Sequence, residues 1–289
     1  TPLYSSAASD VYKRQYLGNT LTLIAHEKAG ILKRGRPAII GAQPDEARIE
    51  IERVGERVRA ELHVAGQDWQ AYEQHGRMVF QDEGGLLDLP MPQMKGRHQI
   101  DNAGNAIAAI RRLDDPRISD VHIAEGIKAT TWPARMQKLG QGALCAFIPA
   151  EAELWLDGGH NPSAGRVVAQ AFSELNDRHS RPLVLVWGML NTKDVGSFIG
   201  CFAGIASRVV TITIPDEENA VAAEKLAESA RAHGFAAETA QSLEAALRQA
   251  ASTVPAPRIL ICGSLYLAGR VLASHAGEDM SKVSGAGRR

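Results

Sequence analysis

From Leu154 to His275 the chain keeps repeating one arrangement: a short apolar run, a turn, then a helical segment. The runs are Leu154–Leu156, Leu183–Trp187, Val209–Ile214 and Ile259–Cys262. The helical stretches between and after them are Pro162–Leu175, Val195–Phe202, Asn219–His233, Leu243–Ala251 and Leu265–His275. Strands that are apolar on both faces and alternate with helices build a mostly parallel sheet covered on both sides. This pattern constrains the fold more than any other feature of the chain and predicts an α/β domain. In such sheets ligands bind beyond the carboxyl ends of the strands, so the turns after the strands are the places to look for chemistry.

Upstream the pattern is less regular. Leu21, Ile24, Lys28 and Ile31 fall on helical spacing, and Pro37–Gly41 reads as a buried strand. Pro44–Leu62 reads as a charged amphipathic helix whose apolar stripe is Ile51, Val54, Val58 and Leu62. The short runs Glu61–Val64, Arg77–Phe80 and Leu86–Leu89 suggest a small antiparallel region. Two further helices are predicted, His98–Leu113 and Ser119–Thr131, the second capped by Ser119. Trp132-Pro133 breaks the helical pattern. The expected division is therefore a leader at 1–15, a first domain at 16–138, a second at 139–276 and a disordered tail at 277–289. Thr1–Gln15 has no periodicity and reads as a non-native leader, while the tail is polar and rich in Gly and Ser.

Composition excludes several classes. Lys+Arg 32 against Asp+Glu 33 leaves no basic excess for a nucleic-acid binder. Cys145, Cys201 and Cys262 are widely spaced and form no CxxC, so neither a disulfide framework nor a zinc site is indicated. No apolar run approaches the roughly 18 residues of a membrane span, and the expectation is a cytoplasmic protein with no nucleic-acid or membrane partner.

Six stretches carry candidate chemistry. Lys28, in Glu27-Lys28-Ala29-Gly30-Ile31, could add carbon dioxide to give a carbamate, an anionic oxygen ligand for Mg²⁺. Gln99 and Asn102, in a stretch that opens a helix, carry amides able to read the edge of a nucleobase. Arg135, in Trp132-Pro133-Ala134-Arg135, has a guanidinium fork that suits phosphate oxygens. In Asp157-Gly158-Gly159-His160-Asn161-Pro162, Asp157 can accept from ribose hydroxyls and His160 can meet a phosphate, and the glycines allow close backbone approach. Lys193 can neutralise a phosphate or carboxylate. Ser264 precedes a helix whose first N–H groups are unpaired and can hold an anion. The first turn after a strand is Asp157-Gly158-Gly159-His160 and not G-x-G-x-x-G, which argues against a dehydrogenase.

In their order, LGNTLTLIAHEKAGI, KGRHQIDNAGNAIAAI, WPARMQ, LDGGHNP, WGMLNTKD and CGSLYLAG resemble the folylpolyglutamate synthase/dihydrofolate synthase family, relatives of the Mur ligases, from about Tyr16 to His275. The resemblance implies a P-loop-type ATPase central domain followed by a Rossmann-like C-terminal domain, with the active site in the cleft between them. It implies an ATP-dependent ligase, acting as a monomer, that joins L-glutamate to a pteroate or folate carboxylate through an acyl phosphate, with ATP and Mg²⁺ as cofactors. It implies a metal-side carbamate on Lys28, adenine contacts from Asn102 with Gln99, phosphate contacts from Arg135, nucleotide contacts from Asp157 and His160, and a glutamate side lined by Lys193 and Ser264. Lys28, His160 and Lys193 are the implied catalytic residues. The chain departs from the family in having no Gly-Lys pair, and Lys13 stands where the family has a metal-binding histidine. The expectation is a truncated chain that is inactive alone. The other readings are a different Mur-type amino-acid ligase and a non-catalytic nucleotide-binding fragment.

Overall fold

The structure, a computed structural model, describes residues 20–252 and 254–277. The expected leader, Lys13 and nearly all of the expected tail lie outside the described residues. The chain forms two compact units that divide between Thr131 and Trp132.

The first unit runs α1 (Leu21–Ala29), β1 (Pro37–Ile40), α2 (Asp45–Val58), β2 (Glu61–Val64), β3 (Trp69–Gln74), β4 (Arg77–Asp82), β5 (Gly85–Leu89), α3 (His98–Leu113) and α4 (Asp120–Ala129). The Thr20 side chain caps α1 by accepting from Leu23 N–H. β3, β4 and β5 form an antiparallel meander. Its Trp69, Met78, Phe80 and Leu89 pack with Ile100 and Ile107 of α3 and Ile123 of α4. Gly104 lets α3 lie close to this sheet, because a Cβ there would stand 2.6 Å from the Ala71 Cβ.

Three expectations for this unit need correction. The helix predicted to reach Leu62 stops at Val58, and Arg59 turns the chain at φ 58°. Glu61–Val64 is not part of the antiparallel region: it pairs parallel to β1, Pro37 opposite Glu61. The physical reason is that α2 is the crossover of a β-α-β unit, which returns the chain in the same direction. The strand Trp69–Gln74 was not predicted, since half of its residues are Gln or Glu.

The second unit holds β6 (Gln137–Leu139), a 3₁₀ turn (Ala143–Phe147), β7 (Glu153–Leu156), α5 (Pro162–Arg178), β8 (Leu183–Trp187), α6 (Val195–Gly200), β9 (Ala206–Ile212), α7 (Ala223–Ala232), β10 (Ala237–Ala240), α8 (Leu243–Ser252), β11 (Arg258–Cys262) and α9 (Leu265–Ala276). The sheet order is β10-β9-β8-β11-β7-β6. Every neighbouring pair is parallel except β6 with β7. That edge pairing holds Gln137–Leu139 in this unit, whose described part begins at Trp132. β6 and β10 are too short and too polar to be read from periodicity.

Alternation along the strands sorts the side chains into two apolar layers. Leu185, Trp187, Leu260 and Cys262 face Val168 and Phe172 of α5 and Phe198 of α6. Val184, Val186, Ile259 and Ile261 face Leu247 of α8 and Leu267 and Val271 of α9. Each fully buried Leu, Val or Phe contributes roughly 1.5–3 kcal/mol.

An ion cluster ties three strands at the opposite end of the sheet. Arg258 of β11, only 1% exposed, donates from Nε to Glu153 Oε2 of β7 at 2.8 Å. Lys138 of β6 donates to Glu153 Oε1 at 2.9 Å, and the Trp155 indole donates to Oε2 at 3.1 Å. Burial pushes the Glu153 carboxyl up, but the hydrogen bonds from Lys138, Arg258 and Trp155 together outweigh it and hold the group down at about 2. A depressed carboxylate contributes stability that is fully present above its unfolded value of 4.5 and is lost as the pH falls through the folded one. The stability gap between the wild-type chain and Glu153→Gln, followed by thermal unfolding, is therefore expected to narrow steadily from pH 4.5 to about 2.

Candidate functional site

Because β11 lies between β7 and β8, the turns after these three strands stand side by side at one edge of the sheet. Hydrogen bonds join them. Gly263 N–H donates to Gly159 O at 3.0 Å, Gly188 N–H to Cys262 O at 3.2 Å and Asp157 N–H to Ile261 O at 3.0 Å. Gly263 takes φ 107°, and a Cβ there would sit 2.5 Å from Gly188 O. Only glycine fits at that crossing.

Asp157 organises the turn after β7. It is 4% exposed, and both of its carboxylate oxygens are engaged: Gly159 N–H donates to Oδ1 at 2.6 Å and Met136 N–H to Oδ2 at 2.8 Å. Burial pushes this carboxyl up, against those two N–H groups and the charge of Arg135. Asp157 thus reaches back to the segment entering the sheet. Gly158 N–H donates to Ala134 O at 2.8 Å. On either side of Arg135, Ala134 and Met136 take left-handed backbone conformations, φ 56° and 42°. Such a conformation costs a non-glycine residue roughly 1–2 kcal/mol. Arg135 therefore sits on an arch that its neighbours must hold in place.

His160 is 7% exposed, with Nδ1 2.9 Å from Gly158 O. A carbonyl only accepts, so Nδ1 carries the proton, and in the neutral ring Nε2 keeps its lone pair. Burial pushes the His160 pKa down, and the charges of Lys193 and Arg135 push it further, against the Gly158 carbonyl. One buried imidazole thus lies within the field of two cations from two different segments. Asn161 accepts from Ala164 N–H at 2.9 Å and caps α5, and Pro162 opens that helix. Ser264, 2% exposed, accepts from Tyr266 N–H at 3.1 Å and caps α9. Arg135, Asp157, His160, Lys193 and Ser264 thus all belong to the segments at this edge. The arrangement suits an anion rich in oxygen, such as a phosphate or a carboxylate.

The remaining candidates lie in the first unit. Lys28 is exposed near the end of α1. α1 is pinned to α2 by Thr22 Oγ1 donating to Glu46 at 2.5 Å and by His26 Nδ1 on Glu50 at 2.6 Å. Gln99 is buried and Asn102 exposed on α3, where Asn102 Nδ2 donates to Gln99 Oε1 at 3.1 Å. Among the described residues no group of three or more His, Cys, Asp and Glu side chains could hold a metal ion. No helix among them is long and apolar enough to cross a membrane. Reading the sequence did not single out Gln137, whose side chain closes the arch by accepting from Ala134 N–H at 2.9 Å. It lay within WPARMQ, but no glycine there signals a left-handed backbone.

Residues 135–265 match the family described as Mur ligase, glutamate ligase domain. Over most of its length the chain is similar to folylpolyglutamate and dihydrofolate synthases. It is 28% identical over 275 residues to the folylpolyglutamate synthase of Lacticaseibacillus casei, a match that covers 89% of this chain and 58% of that protein. The E. coli FolC structure in complex with DHPP and ADP superimposes with a TM-score of 0.75 at 25% identity, covering 90% of this chain and 58% of that one. The bifunctional folylpolyglutamate synthase/dihydrofolate synthase structure with Mn, AMPPNP and L-glutamate bound gives a TM-score of 0.72 at 28% identity, covering 89% and 58%. The chain thus spans a little over half the length of these relatives.

Asp157→Asn replaces one accepting oxygen with an amide that faces an N–H group. The variant is expected to lose about 1–3 kcal/mol of stability in urea unfolding.

Proposed function

We propose that this chain carries the nucleotide- and glutamate-handling part of a ligase that joins L-glutamate to the carboxylate of dihydropteroate, a folate or both. The observation behind this reading is the convergence of Arg135, His160, Lys193 and Ser264 at one sheet edge of a Mur ligase glutamate-ligase domain. Relatives similar over most of the chain are named for this activity.

In the proposed reaction, the acceptor carboxylate attacks the γ-phosphoryl group of ATP, giving an acyl phosphate and ADP. The amine of L-glutamate, freed of its proton, attacks the acyl carbon. Inorganic phosphate leaves and an amide remains. Arg135 and Lys193 offset the negative charge on the phosphoryl oxygens. His160, its Nδ1–H fixed on Gly158, sits on the phosphate side, and Nε2 donates to a phosphate oxygen when it takes up a proton. Ser264 and Lys193 meet the glutamate carboxylate, Asp157 serves the nucleotide side, and Asn102 with Gln99 reads the adenine. Lys28, as its carbamate, would supply one oxygen ligand to Mg²⁺.

The chain as given contains no Gly-Lys pair for a phosphate-cradling loop, and we propose that it does not turn over ATP by itself. Phosphate release should be measured with ATP, Mg²⁺ and L-glutamate, with and without dihydropteroate or tetrahydrofolate. The chain alone is expected to release none, and the product of its gene's complete reading frame to release phosphate that depends on both glutamate and a pterin. Robust turnover by the chain alone would overturn the inactivity. Turnover without pterin dependence would move the protein to another Mur-type amino-acid ligase. In the active protein, Arg135→Ala and Lys193→Ala should each lower kcat/KM by about 100-fold or more, in line with the loss of one preorganised charge-stabilising donor.

A further inference from the structure

The Arg135 arch is closed by three hydrogen bonds, and each satisfies a backbone group of a strained residue. Asp157 takes the Met136 N–H, Gly158 N–H takes the Ala134 carbonyl, and Gln137 Oε1 takes the Ala134 N–H. The first two come from the turn after β7. The third comes from the first residue of β6, which is itself anchored opposite Leu156 of β7. Ala134 and Met136 are buried at 3% and 4% exposure, with the half-buried Arg135 between them. A left-handed alanine persists only where its surroundings over-determine it. Without the Gln137 acceptor, the Ala134 N–H is left unmatched at a buried position, and the backbone has reason to relax toward an ordinary conformation. That movement would swing Arg135.

We propose that Gln137 is a positioning residue whose side-chain carbonyl, acting with the Asp157 carboxylate, holds the strained arch that aims Arg135 at a phosphate. This rests on the reading of Arg135 as a phosphate contact. Its chemistry requires an acceptor at residue 137 and not an amide as such. Glu at this position serves equally well, whereas Met matches the size of Gln and supplies no acceptor. The same argument makes Ala134→Gly a compensating change, since glycine takes a positive φ without strain.

The test is ADP binding by the full chain, measured by titration calorimetry. Arg135→Ala and Gln137→Met are each expected to weaken ADP by roughly tenfold, the scale of one charge-assisted contact. The double variant should be no weaker than Arg135→Ala, because residues acting through one another are not additive. Gln137→Glu, and Gln137→Met combined with Ala134→Gly, should bind as the wild type does. If Arg135→Ala weakens ADP and Gln137→Met does not, or if the double variant loses more than Arg135→Ala alone, the positioning role is overturned while the phosphate reading stands. If Arg135→Ala leaves the affinity unchanged, the phosphate reading falls. In that case, or if the chain binds ADP too weakly to measure, ¹⁵N relaxation at the Arg135 amide decides on the arch itself. Order there should drop in Gln137→Met and return in Gln137→Glu; unchanged order in Gln137→Met overturns the proposal.

Discussion

The site depends on where β11 is inserted. The chain lays down β7, passes over one position to β8, continues outward through β9 and β10, and only then fills the gap it left. A parallel sheet requires every strand to be entered from the same end, so the turns after β7, β8 and β11 emerge together. The last strand to be made is the one that joins the other two. Its own turn crosses so close to Gly188 that residue 263 must be glycine. The buried Arg258 at its other end ties it to Glu153 of β7. The same strand thus serves stability at one end and the site at the other.

Around that edge, charge is handled by enclosure as much as by pairing. Asp157 is a buried carboxylate whose two oxygens are both met by backbone N–H groups. It therefore does structural work whether or not it also meets a nucleotide. His160 is a buried imidazole with one nitrogen committed to a carbonyl, and the charges of Lys193 and Arg135 favour its neutral form. Two left-handed residues flanking Arg135 are costly, and such strain is characteristic of places where a side chain must be aimed.

The first unit contributes differently. Its β-α-β start and antiparallel meander give α3 a firm apolar seat through Ile100 and Ile107, and Gln99 and Asn102 ride on the first turns of that helix. Lys28 lies exposed on a helix held by polar contacts to α2. Among the described residues of this unit no group of three or more His, Cys, Asp and Glu side chains could hold a metal ion. The Mur ligase resemblance is carried there by motif order, and in the second unit by motif order and geometry together.

Much of the second unit was legible in the sequence, because strands buried on both faces leave uninterrupted apolar runs and their turns are marked by Gly, Asn and Pro. The runs at Leu183–Trp187 and Ile259–Cys262 appear in the structure with the bounds of the strands or within one residue of them. The short strands Gln137–Leu139 and Ala237–Ala240 were not legible, since three or four small or polar residues carry no period. Neither was the parallel pairing of Glu61–Val64, which depends on a partner more than twenty residues away. Local composition determined that there would be a covered parallel sheet and which turns would carry Asp157, His160, Lys193 and Ser264. Only the tertiary structure decided that three of those turns are neighbours, that both Asp157 oxygens are taken by backbone N–H groups, and that Gln137 closes an arch around Arg135. Strand order and backbone strain arise from contacts between segments distant in the chain, and no local pattern of residue types records them.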